Sequence, residues 1–281
     1  MSERASSASR SSLTERRRLR RRRALIASSV LLCVLIGAGV YGSWQSPVRI
    51  SHVVIYGGDQ SLADSAMAAM RGSYLGIVPR DSTFLVPEAR IRSLIATAHP
   101  DIAAVSIFRN GLTSLSVKVD YRVPIARWCG STRVPPVVTA SSTPAAGCYF
   151  FDASGFVYAP AGETVPVNPF AVYEPLGSST SSPQTSGPVG VTLPNADTFP
   201  AVFDFARQLS TLGSPAAAVV FHGDEADVYL ASGTRITYVV GSEESALTAL
   251  ASAHATLNLA DGSLEYVDLR FPGKVYVKKK E

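Results

Sequence analysis

A cluster of arginines directly before an uncharged apolar segment constrains this chain more than any other feature. Seven arginines lie within residues 16–23, and no charged residue occurs from Ala24 to Tyr41. At a rise of about 1.5 Å per residue, a helix over residues 24–43 is about 30 Å long, which matches the hydrocarbon core of a bilayer. Because a helix satisfies its own backbone polar groups in lipid, the pattern predicts a single transmembrane helix.

The arginines also predict the orientation of this helix. Basic residues stay on the cytoplasmic side of a membrane, so residues 1–23 are expected to form a basic cytoplasmic tail, with the chain after Trp44 outside the cytoplasm. Two alternatives remain. In one, the segment is a cleaved signal peptide with Val40-Tyr41-Gly42 as the cleavage context. In the other, the arginines form a nuclear or nucleic-acid-binding patch.

The distribution of charge argues against nucleic-acid binding by the folded part. The chain has a net charge of +4, but residues 1–23 alone carry +7, which leaves −3 for residues 24–281. A nucleic-acid-binding module needs its cations on the folded surface. We therefore expect no nucleic-acid partner.

The three cysteines divide between two compartments. Cys33 lies in the predicted span, where a thiol is usually an apolar filler. Cys129 and Cys148 lie outside, where disulfides persist, and they bracket a segment rich in Ser, Thr and Pro. A disulfide between them is the candidate arrangement, and two unpaired buried thiols are the alternative. No zinc site is expected, because no CxxC or nearby histidine pair supplies the other ligands.

Residues 50–121 have the pattern of a β-α-α-β-β unit. Strands are predicted at 50–56, 102–109 and 113–121, and helices at 61–71 and 87–98. Ser61 is the predicted N-cap of the first helix, and Asn110-Gly111 is a hairpin turn signal. The second helix has an apolar stripe of Ile91, Leu94, Ile95 and Ala98.

A second, mixed region follows Pro124. Its predicted elements are a hairpin over 149–158, a helix over 199–212, three strands near 217–222, 226–231 and 235–240, a helix beginning at Ser242, and closing strands at 264–271 and 274–278. Two low-complexity stretches, 130–147 and 176–190, are predicted to be mobile loops. The whole chain is therefore expected to belong to the α+β class, behind one transmembrane helix.

Several segments resemble the bacterial cell division family FtsQ, called DivIB in Gram-positive bacteria. The matching segments are Val53–Gly57, His99–Arg109, Val119–Trp128, the hairpin Phe151–Val157 and the terminal Tyr266–Phe271, whose sequence YVDLRF contains the family's VDLRF. The resemblance extends in order from residue 16 to residue 278. Two departures occur, because Asn110-Gly111 replaces a common aromatic-proline pair and Asp120-Tyr121 replaces the usual glutamate.

This resemblance implies a POTRA domain at 48–122 and an FtsQ/DivIB-type β domain at 123–278 that ends in exposed edge strands. It implies a non-enzymatic scaffold of the divisome, with no cofactor, in the cell membrane at the division septum. Family members bind FtsB/DivIC-type and FtsL-type subunits and help regulate septal peptidoglycan synthesis by FtsW and FtsI. The FtsB-type partner docks on the last strands by strand addition, a mode in which unpaired backbone groups supply affinity.

The last two predicted strands therefore contain the candidate partner-binding residues. These are Tyr266, Arg270, Phe271, Val275 and Tyr276. Leu264, Tyr266 and Asp268 are expected on one face of the strand, and Glu265, Val267 and Leu269 on the other. The alternation does not decide which of the two faces packs against the core. Phe271 and Tyr276 flank the Pro272-Gly273 turn as candidate aromatic anchors. The alternative is that both rings cap the core.

Two other classes of protein are weighed against the scaffold. An enzyme tethered to the membrane is not expected, because none of the four histidines lies in a metal-binding motif and no nucleophile elbow or phosphate loop occurs. A POTRA module from polypeptide transport or outer-membrane assembly is the second rival. Such modules normally come as repeats before a long β-barrel, and a chain of 281 residues is too short for one.

Overall fold

The computed structural model describes residues 7–132, 147–177 and 187–281, with side chains from Arg17 onward. It has a mixed α/β architecture with two compact units. One contains Met1–Ala98 and Ala104–Asp120, and the other contains His99–Ala103 and Tyr121–Glu281. The predicted mobile loops at 130–147 and 176–190 lie mostly outside the described residues.

The first element is a long helix, α1, from Ser7 to Ser43. Its segment Arg17–Ser43 contains an 18-residue window with a mean hydropathy of 2.3 and is long and apolar enough to cross a membrane, a test that a signal sequence also passes. The helix begins before the predicted span because arginine is a good helix former and no glycine or proline interrupts the tail. Its apolar side chains from Leu25 to Ile36 are exposed, as expected of a surface that faces lipid.

The first unit continues with seven short elements. They are β1 (His52–Tyr56), α2 (Leu62–Ala69), β2 (Ser73–Tyr74), β3 (Val78–Pro79), α3 (Glu88–Ala98), β4 (Ile102–Arg109) and β5 (Ser114–Tyr121). The sheet has the order β1-β5-β4, with β1 parallel to β5, and β2 and β3 form a separate hairpin. The predicted β-α-α-β-β elements are therefore present, and β2 and β3 are an addition that the sequence did not reveal.

Alternating apolar residues hold this sheet against its two helices. Leu115, Val117 and Val119 of β5 are all buried, as their alternation predicts. Ile91 and Ile95 of α3 have no exposed surface. After β1 the chain turns at Gly57, whose φ is +80° and where an added Cβ would lie 2.6 Å from the carbonyl oxygen of Val119. Only glycine fits a position that is both left-handed and this close to the backbone.

Two local predictions in this unit hold only in part. Ser61 is the N-cap residue of α2, as predicted, but its side chain makes no capping bond; instead, the Asp59 carboxylate accepts a hydrogen bond from the Ser61 N–H at 3.0 Å. The aspartate offers the stronger, charged acceptor two residues earlier. Of the predicted α3 stripe, Ile91 and Ile95 are buried, whereas Leu94 and Ala98 are exposed.

The second unit is built on a nine-stranded sheet with two helices. The elements are β6 (Ala126–Trp128), β7 (Tyr149–Phe151), β8 (Val157–Pro160), β9 (Ala171–Tyr173), α4 (Phe199–Gln208), β10 (Ala216–His222), β11 (Glu225–Leu230), β12 (Arg235–Val239), α5 (Glu243–Ala253), β13 (Leu264–Asp268) and β14 (Tyr276–Lys279). The strand order is β14-β13-β12-β11-β10-β9-β6-β7-β8. The predicted hairpin, three central strands and closing strands are confirmed, whereas β6 and β9 are too short to have been recognised.

One face of this sheet packs against α4 and α5. Phe199, Phe203 and Phe205 of α4 are fully buried, and Phe205 lies 4.5 Å from the ring of Tyr238 on β12, measured between centroids. Leu250 of α5 is also buried, as its stripe predicts. The other face carries smaller or polar residues such as Val220 and Asp227. The hydrophobic core therefore lies under the helices and extends from Val157 of β8 to Val267 of β13, whereas the residues of β14 are exposed.

Candidate functional site: the C-terminal edge of the sheet

β14 is the last strand at one end of the nine-stranded sheet. It runs antiparallel to β13, with Val267 opposite Val277 and Asp268 opposite Tyr276, and all four of its residues are exposed. The N–H of Lys280 bonds the carbonyl oxygen of Ser263 at 2.9 Å on the β13 side. Because backbone groups alternate in direction along a strand, the N–H and C=O of Val277 point away from the sheet.

Phe271 and Tyr276 form an exposed aromatic pair beside this edge. Their ring centroids lie 5.4 Å apart with an interplanar angle of 78°, an edge-to-face contact. Phe271 is 51% exposed and Tyr276 is 48% exposed. Neither ring belongs to the buried core, which disagrees with the alternative that both cap it. The pair instead offers a rigid apolar surface to the solvent.

Arg270 is held in place by two acids. Its guanidinium bonds both carboxylate oxygens of Asp268, at 3.0 and 2.7 Å, and reaches Glu225 of β11 at 3.1 Å. The hydrogen bonds from Arg270 lower the pKa of Asp268. The hydrogen bonds to Asp268 and Glu225 raise the pKa of Arg270. The candidate residue Arg270 therefore supports the edge internally, and Glu225 is a supporting residue that its sequence context did not reveal.

Tyr266 is likewise engaged within the sheet. The guanidinium carbon of Arg235 lies 5.5 Å from the centre of its ring, a cation–π contact. The predicted alternation of this strand is confirmed from Tyr266 to Leu269 and is wrong at Leu264: a register shift between Leu264 and Tyr266 puts Leu264 in the core with Val267 and Leu269. A β-bulge inserts an extra residue, so the side chains on either side of it change face.

Val275 marks a hollow between the last turn and α5. It is half-buried against the core, and the hollow of about 680 Å³ is lined by small and polar side chains of α5. Thr248, Ala249, Ser252 and Ala253 form the α5 wall, and Gly273 and Val275 form the opposite wall. The edge strand, the aromatic pair and the hollow thus lie next to one another on the last 40 residues.

The candidate disulfide lies in the same unit but at the other end of the sheet. The sulfur atoms of Cys129 and Cys148 are bonded, which links the chain after β6 to the chain before β7. Cys33 is free and exposed on α1. The residues between the two bonded cysteines are described only at 130–132 and at Gly147.

His222, Asp227 and Thr237 form a polar cluster that differs from a nucleophilic triad. His222 Nε2 lies 3.1 Å from Asp227 Oδ2, and the Thr237 hydroxyl donates to the other oxygen of Asp227. A nucleophilic triad needs the hydroxyl beside the histidine, whereas here both groups bond the acid. Within the described residues no three His, Cys, Asp or Glu side chains are grouped so as to hold a metal ion.

Comparison with known proteins does not assign this chain to a family. No protein-family model matches it, and no curated protein matches it.

Proposed function

We propose that the protein is a membrane-anchored scaffold that binds another envelope protein by accepting a β-strand along β14, as an FtsQ/DivIB-type component of the divisome. The observation that carries the proposal is the open edge of the nine-stranded sheet, where β14 is exposed along its whole length. An unpaired strand edge is a template for a partner strand, and proteins that do not use such an edge usually cover it.

The side chains around β14 define the kind of partner strand. Lys274, Lys278, Lys279 and Lys280 surround the edge, and Lys278 is paired with Glu265 at 2.7 Å. Lysines on an edge strand discourage pairing with identical copies, because like charges would meet. The same lysines favour a strand with acidic side chains, and the Phe271–Tyr276 pair supplies an apolar anchor. The expected partner is an acidic segment with at least one apolar residue.

Anchorage is the second part of the proposal. The helix Arg17–Ser43 is long and apolar enough to cross a membrane, and the arginines before it favour a cytoplasmic N-terminus. In this arrangement residues 48–122 act as a POTRA-type domain next to the membrane, and the β domain presents its edge outside the cytoplasm. Partners of the FtsB/DivIC, FtsL and FtsW/FtsI types then meet the protein at the division septum.

A site-specific cross-linking experiment tests this function. A photoreactive amino acid replaces Val277 in the full-length protein in the cells that encode it, and an equal replacement at Val165, an exposed residue away from the edge, is the control. We expect Val277 alone to cross-link to a small single-pass membrane protein, and we expect cells depleted of the protein to grow without dividing. Normal division without the protein, or equal cross-linking at both positions, would contradict the proposal.

A further inference from the structure

We propose that the β2–β3 hairpin and the turn after it form a lipid-contacting tip that inserts into the surface of the same membrane that holds α1. The tip consists of five residues, Tyr74, Leu75, Ile77, Phe84 and Leu85. This inference goes beyond partner binding and rests only on the proposed anchorage by α1. In this proposal the binding partner is the headgroup region of the bilayer, into which the apolar side chains of the tip insert.

The first observation is the exposure of these side chains. Leu75 is 95% exposed, Ile77 52%, Phe84 63% and Leu85 50%. They are contributed by two short segments that lie next to each other, since the Tyr74 hydroxyl donates to the carbonyl oxygen of Leu85 at 3.2 Å. Single exposed apolar residues are ordinary, whereas a cluster of large ones marks an interaction surface.

The conformation of the hairpin gives Leu75 no role in the fold. The N–H of Ile77 bonds the carbonyl oxygen of Tyr74 at 2.9 Å, and the two central residues, Leu75 and Gly76, have φ values of +52° and +75°. Two positive φ values define a type I′ turn, which prefers Asn, Asp or Gly at its first central position. A leucine is poorly suited to this turn and buries almost nothing there, so its side chain serves something outside the unit.

The second observation fixes the distance of the tip from the membrane. Trp44 follows the last residue of α1, and its indole N–H donates to the carbonyl oxygen of Ile77 at 2.7 Å. The uncharged segment of α1 is about as long as a hydrocarbon core is thick, so Trp44 lies at the outer membrane–water interface. A backbone atom bonded to this indole lies at the same depth, and Leu75 is two residues away.

The hairpin is attached firmly to the chain that leaves α1. Arg49 and Asp81 form an ion pair of 2.6 Å, and the Ile50 N–H bonds the carbonyl oxygen of Asp81 at 2.7 Å. The Thr83 N–H bonds the carbonyl oxygen of Val48 at 2.9 Å. These contacts hold both segments of the tip within a few residues of the helix end. A protein surface held so close to lipid favours the bilayer over any other apolar environment.

Depth-dependent fluorescence quenching tests the proposal. The full-length protein is placed in nanodiscs of phosphatidylcholine and phosphatidylglycerol, and a fluorophore is attached to Leu75→Cys in a Cys33→Ala background. The matched control is Tyr56→Cys, which is 53% exposed and lies at the far end of β1, about 13 Å beyond His52. Quenchers are a lipid with a nitroxide near its headgroup and iodide in the water.

We expect the probe at residue 75 to be quenched by the nitroxide lipid and protected from iodide, with the reverse at residue 56. A second label on native Cys33 reports whether α1 itself lies in lipid. If Cys33 is embedded and residue 75 is open to iodide, lipid contact by the tip is overturned while anchorage stands. If residue 75 is protected from iodide without nitroxide quenching, the tip contacts protein, which also overturns the inference. If Cys33 lies in water, anchorage itself fails.

The variant Leu75→Asn separates lipid contact from folding. Asparagine suits the left-handed position of this turn, so thermal unfolding should stay the same or rise. A fluorophore on Phe84→Cys should nevertheless become severalfold more accessible to iodide when Leu75→Asn is added, because the apolar side chain that inserts next to it is gone. An unchanged signal at residue 84 would contradict a role of Leu75 in holding the tip to lipid.

Discussion

The two ends of the nine-stranded sheet are treated differently. At the β8 end, Val157 and Tyr158 are buried, and the chain from Gly190 to Thr192 pairs with the outer side, with the Val157 N–H bonded to the carbonyl oxygen of Val191 at 2.9 Å. At the β14 end every residue is exposed, and no described strand lies beyond. A protein that covers one edge and leaves the other open has an edge available for binding.

Two acids of this unit, Glu174 and Asp268, have pKa shifts in opposite directions. Glu174, which follows β9, is 1% exposed; one of its oxygens accepts the Asn195 N–H, and the other has no described partner. Burial raises its pKa to about 7. Asp268 at the open end is bonded to Arg270, and its pKa is lowered. Burial thus disfavours the charged form of Glu174, whereas the ion pair with Arg270 favours the charged form of Asp268.

Removing the disulfide near the β8 end of the sheet should change the unfolding free energy more than any other variant. The double variant Cys129→Ala with Cys148→Ala should lose about 3 kcal/mol of unfolding free energy, because the unfolded chain regains the freedom of a loop of 19 residues. Urea unfolding followed by tryptophan fluorescence measures this, since Trp128 is buried next to Cys129. Cys33→Ala is the control and should have no effect. Mass spectrometry of a non-reduced digest should show the linked peptides; two freely alkylated thiols would refute the bridge.

Glu174 gives the stability of the second unit a pH dependence. Its folded pKa of about 7 lies above the ordinary value of 4.5, so the folded state binds the extra proton and stability falls as pH rises between these values. From pH 5 to pH 8 this costs about 2.5 kcal/mol. Glu174→Gln keeps an acceptor for Asn195 and removes the titration. The variant should match the wild type near pH 4.5 and be more stable at pH 8, and equal stability at both pH values would refute this role.

A pair of proline variants compares the two edges directly. Val157→Pro removes a buried backbone hydrogen bond and leaves the Val191 carbonyl unpaired, so it should cost about 2 kcal/mol. Val277→Pro removes an N–H that points away from the sheet, so its stability should change by less than about 0.5 kcal/mol. The same change should abolish the pairing of a partner strand along β14, which is measured as the amount of partner that co-purifies. If Val277→Pro unfolds the protein, the edge is not open.

Arg270→Gln tests the charge support of the open end. The change leaves Asp268 and Glu225 without their common cation and should cost about 1 kcal/mol at pH 7. The lowered pKa of Asp268 means that its contribution is present above the ordinary value and is lost as pH falls below about 4. The difference between wild type and variant should therefore shrink in acid. A difference that stays constant from pH 7 to pH 3 would contradict the pairing.

The aromatic pair should show the smallest effect on stability. Phe271→Ala or Tyr276→Ala removes a half-exposed ring and an edge-to-face contact, at a cost of about 0.5 kcal/mol. Partner binding should weaken by about 1–3 kcal/mol if the rings are anchors. Thermal unfolding and partner affinity are measured on the same samples, with Tyr121→Ala, another half-exposed ring, as control. A large loss of stability with normal binding would place both rings in the core.

Local patterns in the sequence determined most elements of this protein. The uncharged run after the arginines, the alternation in β5 and the Asn110-Gly111 turn each depend on residues close together in the chain, and the corresponding elements are present. The short strands β6 and β9 have no such pattern, because three residues cannot show a period. Their extended form is decided by pairing with strands far away in sequence.

The tertiary structure alone decided which surfaces are open. The sequence pointed to the last strands, but the bulge in β13 changed the faces of its side chains, and Glu225 reached Arg270 from 45 residues away. The position of the exposed Leu75 near the end of α1 is fixed by a bond between Trp44 and Ile77, which are 33 residues apart. Exposure is the absence of a covering segment, and only the packed chain shows which segments cover which edges.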